Sequence, residues 1–134
     1  MKTFYYLIAM VLLSTVAYSQ NIRTSNLEWN SVATFDAENG FMQNEISRIV
    51  STPTQVIWYD SHDVVKRSLT ITDSQGSWSN VSHNGSIELN VSDNDDVGVV
   101  EFVRASGTIK IIIHFVLKDG KSIYELTITN VNSL

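Results

Sequence analysis

Residues 97–131 hold three segments of alternating apolar side chains, separated by the turn signals RASGT at 104–108 and KDGK at 118–121. Side chains in a strand alternate between two faces, so a turn placed at Ser106-Gly107 sets the register. It puts Phe102 opposite Ile111 and Val100 opposite Ile113. A second turn centred on Asp119-Gly120 puts Phe115 opposite Tyr124, Ile113 opposite Leu126 and Ile111 opposite Ile128. Both turns leave the same face apolar. That agreement predicts a three-strand antiparallel meander with a core on one side. The other face carries His114, placed opposite Glu125 and beside Val99, as an ordinary cross-strand pair. It also carries Ile112, Val116, Ile123, Val97, Val99 and Val103, so a second layer or a partner is expected there.

The same rhythm runs through the rest of the chain. Short apolar segments alternate with Gly, Asn and Asp clusters, and there is one proline, Pro53. This is the pattern of an all-β protein. Strands are read near 27–36, 41–51, 54–60, 64–72, 76–82, 86–92, 97–104, 108–118 and 121–131. They form an antiparallel meander of about 8–9 short strands, closed as a small barrel or stacked as a sandwich. Met42, Ile46, Ile49 and Val50 also fit a helical stripe, so a short helix near 37–50 is the alternative there.

The N-terminus reads as an address. Lys2 precedes an apolar run at 4–13, and Ala17-Tyr18-Ser19 fits the small-x-small rule for leader cleavage. Residues 1–19 are read as a bacterial signal peptide, residues 20–134 as one all-β domain, and the location as secreted or periplasmic, with no membrane insertion once the leader is removed. The chain has no cysteine, which excludes disulfides, thiolate metal sites and thiol nucleophiles. It carries a net charge of −5, and loss of Lys2 makes it more acidic. That opposes binding to nucleic acid.

Candidate sites are few. The segment WYDSHDVVKR at 58–67 places Asp60, His62 and Asp63 between two strands. Short polar residues suit a turn, and one local histidine does not complete a metal site. Counting alternate turns from 60–63 puts His62, His83 and Ser106 at one end of the sheet, with Asp73, Asp93, Asp95, Asp96 and Asp119 at the other. The two histidines are then ~10 Å apart, without a common partner. Trp58 and Tyr59 alternate, so one faces in and one out. Trp58, Tyr59, Asp60 and His62 are the candidate ligand-binding residues. SDNDDVG at 92–98 matches three positions of a calcium loop, but Val97 and Arg104 stand where ligands are required, and the segment reads as a hairpin tip. Asn80, Asn84 and Asn90 each open an N-x-S sequon and are read as hairpin asparagines. G-x-S-x-G, Ser-x-x-Lys and H-E-x-x-H are all missing. No catalytic residue, metal or cofactor is assigned.

The segments GSW at 76–78, NGSIELNV at 84–91 and GVVEF at 98–102, together with the strand rhythm over 27–131, resemble the small lipocalin-like barrels exported by bacteria. The chain is also similar to small exported β-domains that carry no assignable catalytic residues. The Gly-x-Trp step near the first strand of lipocalins is replaced here by Asn26-Leu27-Glu28-Trp29. The resemblance implies a closed barrel able to hold an interior ligand, and carries over no binding residue. Three functional expectations follow: a non-catalytic binding or interaction module, with a protein or small-molecule partner; a carrier of a small apolar ligand; and a metal-assisted enzyme using the 60–63 loop.

Overall fold

The computed structural model describes residues 21–94, 96–117 and 120–134; the leader read at 1–19 lies outside them. Among these residues there is no helix. The strands are β1 (Leu27–Asp36), β2 (Phe41–Gln43), β3 (Ser47–Ser51), β4 (Gln55–Tyr59), β5 (Val65–Gln75), β6 (Gly85–Asp93), β7 (Asp96–Ala105), β8 (Thr108–Leu117) and β9 (Gly120–Ser133). All neighbours are antiparallel. β1 pairs with β9 along its whole length, from Leu27↔Ser133 to Asp36↔Tyr124. That pairing closes β1 and β3 to β9 into an eight-stranded barrel, with β2 as one additional strand. The expected β-meander is therefore a barrel, and the sandwich alternative falls.

The region 37–50 is not helical. Asp36 folds the chain back, its Oδ1 accepting the Glu38 and Asn39 amides at 3.1 and 3.2 Å. β2 then runs beside Thr34–Asp36, and β3 beside Leu27–Ser31. Both lie along the same edge of β1, interrupted at 44–46. The apolar spacing that also fitted a helix is resolved by this pairing: Ile49 is buried, whereas Met42 and Ile46 are exposed.

The meander of 97–131 is present, with one register corrected. Ser106 and Gly107 have φ of 52° and 79°, as a two-residue hairpin turn needs, and Phe102 pairs with Ile111 as read. Between β8 and β9, however, Leu117 pairs with Gly120, Ile111 with Leu126 and His114 with Ile123. The reading was two residues out, because Gly120 serves as a paired residue with φ 140° and not as the second turn residue. A shift of two preserves the faces. Ile111, Ile113 and Phe115 are still fully buried and His114 still points outward, but Glu125 faces Ile112 and not His114.

The segment 76–82 is not a strand. β5 extends to Gln75, and 76–84 is a loop that folds over one end of the barrel. Its Trp78 is buried 5.9 Å from Trp29, which in turn lies 4.9 Å from Phe102. Trp78 Nε1 donates to the His83 carbonyl at 2.9 Å. Ile22 is buried beside it, and its amide donates to the Trp78 carbonyl. This end is plugged. The links after β3, β5 and β7 lie here; those after β1 and β4 lie at the opposite end, where β6 and β8 also finish. Removing one assumed strand inverts the parity count: His83 sits at the plugged end and His62 at the other, together with Asp93 and Asp96. Asp73 is within β5 opposite Asn90, so Asn90 is a mid-strand residue and not a hairpin asparagine.

Inward side chains of the closed strands fill the interior. Trp29, Leu69, Val100, Phe102 and Leu126 are all fully buried. Eight strands enclose a space that side chains can just fill, and each large apolar residue so buried contributes about 1.5–3 kcal/mol. Trp29 Nε1 donates to Ser51 Oγ at 2.8 Å, which satisfies both polar groups within the core.

Candidate functional site

The core does not reach the open end. There, a cavity of about 210 Å³ is lined by Thr34 and Asp36 of β1, Gln43 of β2, Trp58 of β4, Lys66 and Arg67 of β5, and Tyr124 of β9. The additional strand β2 thus forms part of the wall. Phe41, paired with Asp36, shares the face of Gln43 by the two-residue period and stands exposed at the rim.

The cavity's chemistry depends on one irregularity. Trp58 pairs with Arg67, but Tyr59 pairs with Val65, so Lys66 is an extra residue in β5. Consecutive strand residues normally face opposite ways. A bulge re-aims a side chain, and here Lys66 and Arg67 both line the cavity. The bulge follows the tight link 60–64. Asp60 Oδ1 accepts the His62 and Val64 amides at 2.8 and 3.0 Å, and the Asp60 amide donates to the Val64 carbonyl at 2.9 Å. The two amides that reach its carboxylate, that of Val64 first, hold the Asp60 carboxyl below its ordinary pKa of 3.8.

The two cations have different surroundings. Arg67 donates to Asp93 Oδ2 at 3.0 Å, and its guanidinium lies 4.6 Å from the centre of the Phe115 ring. Lys66 Nζ stands 4.3 Å from the Trp58 ring, and among the described residues no carboxylate lies within 4 Å of it. Trp58 packs edge-on against Tyr124, with ring centres 5.3 Å apart. Its Nε1 is buried, and no acceptor among the described residues reaches it. Asp36 is held within its own turn: a bond from the Asn39 side chain, at 2.9 Å, is the largest influence lowering its pKa.

Of the residues singled out from the sequence, only Trp58 lines the cavity. Tyr59 faces outward beneath the Arg48 guanidinium, 3.9 Å from its ring centre. Asp60 forms the turn. His62 is exposed, with its Nδ1 3.3 Å from Ser61 Oγ. Lys66, Arg67, Tyr124, Thr34, Asp36 and Gln43 were not singled out. The Lys66-Arg67 doublet was visible in the sequence, but strict alternation would have divided it between the two faces.

Two other regions bear on function. Among the described residues, no three His, Asp or Glu side chains are grouped so as to hold a metal ion, and no helix is long and apolar enough to cross a membrane. On the outer wall, Thr72, Asn90, Ser92, Val97, Val99, His114 and Val116 border a groove of about 370 Å³. Val97 and Val116 are more than half exposed, and His114 Nε2 is buried without a partner among the described residues. This is the second apolar face expected from the sequence, and no other layer of the described chain covers it.

Comparison of the chain with protein-family models, with curated proteins and with solved structures gives no match, so its function is argued from the barrel's own geometry.

Proposed function

We propose that this barrel is a non-catalytic binding protein that takes one compact small molecule at its open end. The observation that carries the reading is the bulge at Lys66, which turns two consecutive cations into an aromatic-walled cavity at the mouth of a filled barrel. Ligand sites are concave, largely preformed and furnished with a few placed polar groups. This mouth has Trp58 and Tyr124 as its apolar wall, and Lys66, Arg67, Thr34 and Gln43 as polar groups. The lipocalin-like carrier expected from the sequence is narrowed accordingly. The interior is occupied by Trp29, Phe102 and their neighbours, so a long apolar chain has no channel to enter. We read binding and not catalysis because no histidine lines the cavity, and Asp36 is committed to its turn. With the leader read at residues 1–19, the protein acts outside the cytoplasm, and a secreted chain beginning at Gln20 is the expected mass.

The test uses the three indole N–H signals in a ¹H–¹⁵N spectrum during titration with a library of small fragments. Trp29 and Trp78 lie in the core and the plug, and serve as internal references. The expected result is that binders move the Trp58 signal and leave the other two in place. Binders that move only residues of the outer groove, such as Val97 and Val116, refute the proposal.

A further inference from the structure

Resting on the mouth as the binding site, we infer that its ligand is a monocarboxylate with a compact aromatic body, its anionic group held by Lys66. Among the described residues, the mouth is lined by two cations and one carboxylate, and they are not equally available. Arg67 is bound to Asp93 and rests on Phe115. Asp36 accepts bonds from the Asn39 side chain and from the Glu38 and Asn39 amides, which turn its charge towards its own loop. Asp60 feels Lys66 only at long range, as the weakest of the influences on it, and its Oδ1 is occupied by the His62 and Val64 amides. Among the described residues, Lys66 is left with an aromatic face in place of a counter-ion.

An ammonium over an indole face is stabilised by the ring quadrupole, but a carboxylate offers it a charge-assisted hydrogen bond, which is stronger. A ligand carboxylate therefore draws Lys66 away from Trp58 and uncovers the indole. The same event satisfies the cation and opens a flat apolar surface next to Tyr124 for the rest of the ligand. A neutral ligand has no means of moving Lys66. An amine meets a mouth whose one free charge among the described residues is of its own sign. The chain as a whole is acidic, so the selectivity for an anion is local to this mouth and is not a property of the overall charge.

The experiment titrates 2-naphthoate and its neutral counterpart 2-naphthylmethanol into the full chain, following the Trp58 indole signal and measuring Kd. The expected result is that the carboxylate binds at least tenfold more tightly. Lys66→Met should abolish the preference, leaving naphthoate no tighter than the alcohol. Lys66→Arg should retain the preference. Lys66 is exposed, so these variants should fold, and unchanged Trp29 and Trp78 signals verify that. Equal affinities for the two probes, with Trp58 still moving, overturn the carboxylate assignment and leave the mouth as a site. Failure of both probes to move Trp58 overturns the mouth as well.

Discussion

Gly98→Ala is a substitution at which chain propensity and packing act in opposite directions. The φ of Gly98 lies outside the left-handed region, so alanine fits the backbone there. By restricting the unfolded chain it should stabilise the fold by about 0.4–1 kcal/mol. The added methyl, however, would stand 2.5 Å from the His114 carbonyl oxygen and 2.9 Å from Phe115 Cδ1. The oxygen belongs to the β8 backbone, paired on both sides, and Phe115 is fully buried, so neither can yield cheaply. Overpacking of this kind costs about 1–3 kcal/mol, occasionally more. Packing should win, with a net loss of about 1.3 kcal/mol when the middle of the propensity range is subtracted from the middle of the overpacking range. Urea unfolding followed by far-UV circular dichroism should show a lower midpoint at unchanged slope, and Tm should fall by several degrees. Because Arg67 rests on the displaced Phe115 ring, chemical shifts at the mouth should change as well. A variant as stable as the parent, or more stable, would refute the claim that β7 and β8 approach too closely here for a side chain.

Ser51→Ala removes the acceptor of the buried Trp29 N–H. It should cost about 1–3 kcal/mol by denaturant unfolding, the usual penalty of an orphaned buried donor. The Asp60 carboxyl has a lowered pKa in the folded chain, so its support of the 60–64 link is complete above the ordinary value of 3.8. That support is lost as the pH falls through the lowered value. Protection of the Val64 amide, taken relative to its intrinsic exchange rate at each pH, should therefore fall only in that acid range, and Asp60→Asn should abolish that change. Zinc should leave Tm unchanged, since His62 and His83 stand at opposite ends. An increase of several degrees, lost in His62→Ala, would contradict that placement.

What could be read from the sequence follows from what is local. β1 was located to the residue, and β4 and β7 to within one residue at each end, because alternation and turn residues lie within a few positions of each other. The Ser106-Gly107 hairpin was correct because both residues tolerate positive φ. The errors arose where a distant contact decided the outcome. Residues 76–82 alternate like a strand, yet Trp78 is buried by Trp29, almost fifty positions earlier. That one misreading also inverted the placement of the histidines. The β8–β9 register slipped because Asp-Gly is a favoured centre for a two-residue turn, while the chain places Gly120 one position later in the hairpin. The cavity was hidden for a related reason. The bulge that unites Lys66 with Arg67 arises from how β4 and β5 pair beyond the link, and alternation by itself sends the two side chains apart.

The pairing of Leu27 with Ser133 also sets an order in time. The first strand of the barrel is made about a hundred residues before its partner, so the seam cannot form until β9 has been made. Bringing ends about a hundred residues apart together costs about 4 kcal/mol in chain entropy before any seam bond forms, and topologies rich in such distant pairings fold slowly. Until then, one side of β1 lacks its partner, and Leu126 and Ile128 are not in place to seal the interior. A chain halted after β8 should be cut by protease throughout its length, with β3 to β8 no better protected than β1. An incomplete chain of this architecture is kept waiting in an open form, and delivery of the last strand decides when it becomes a protein.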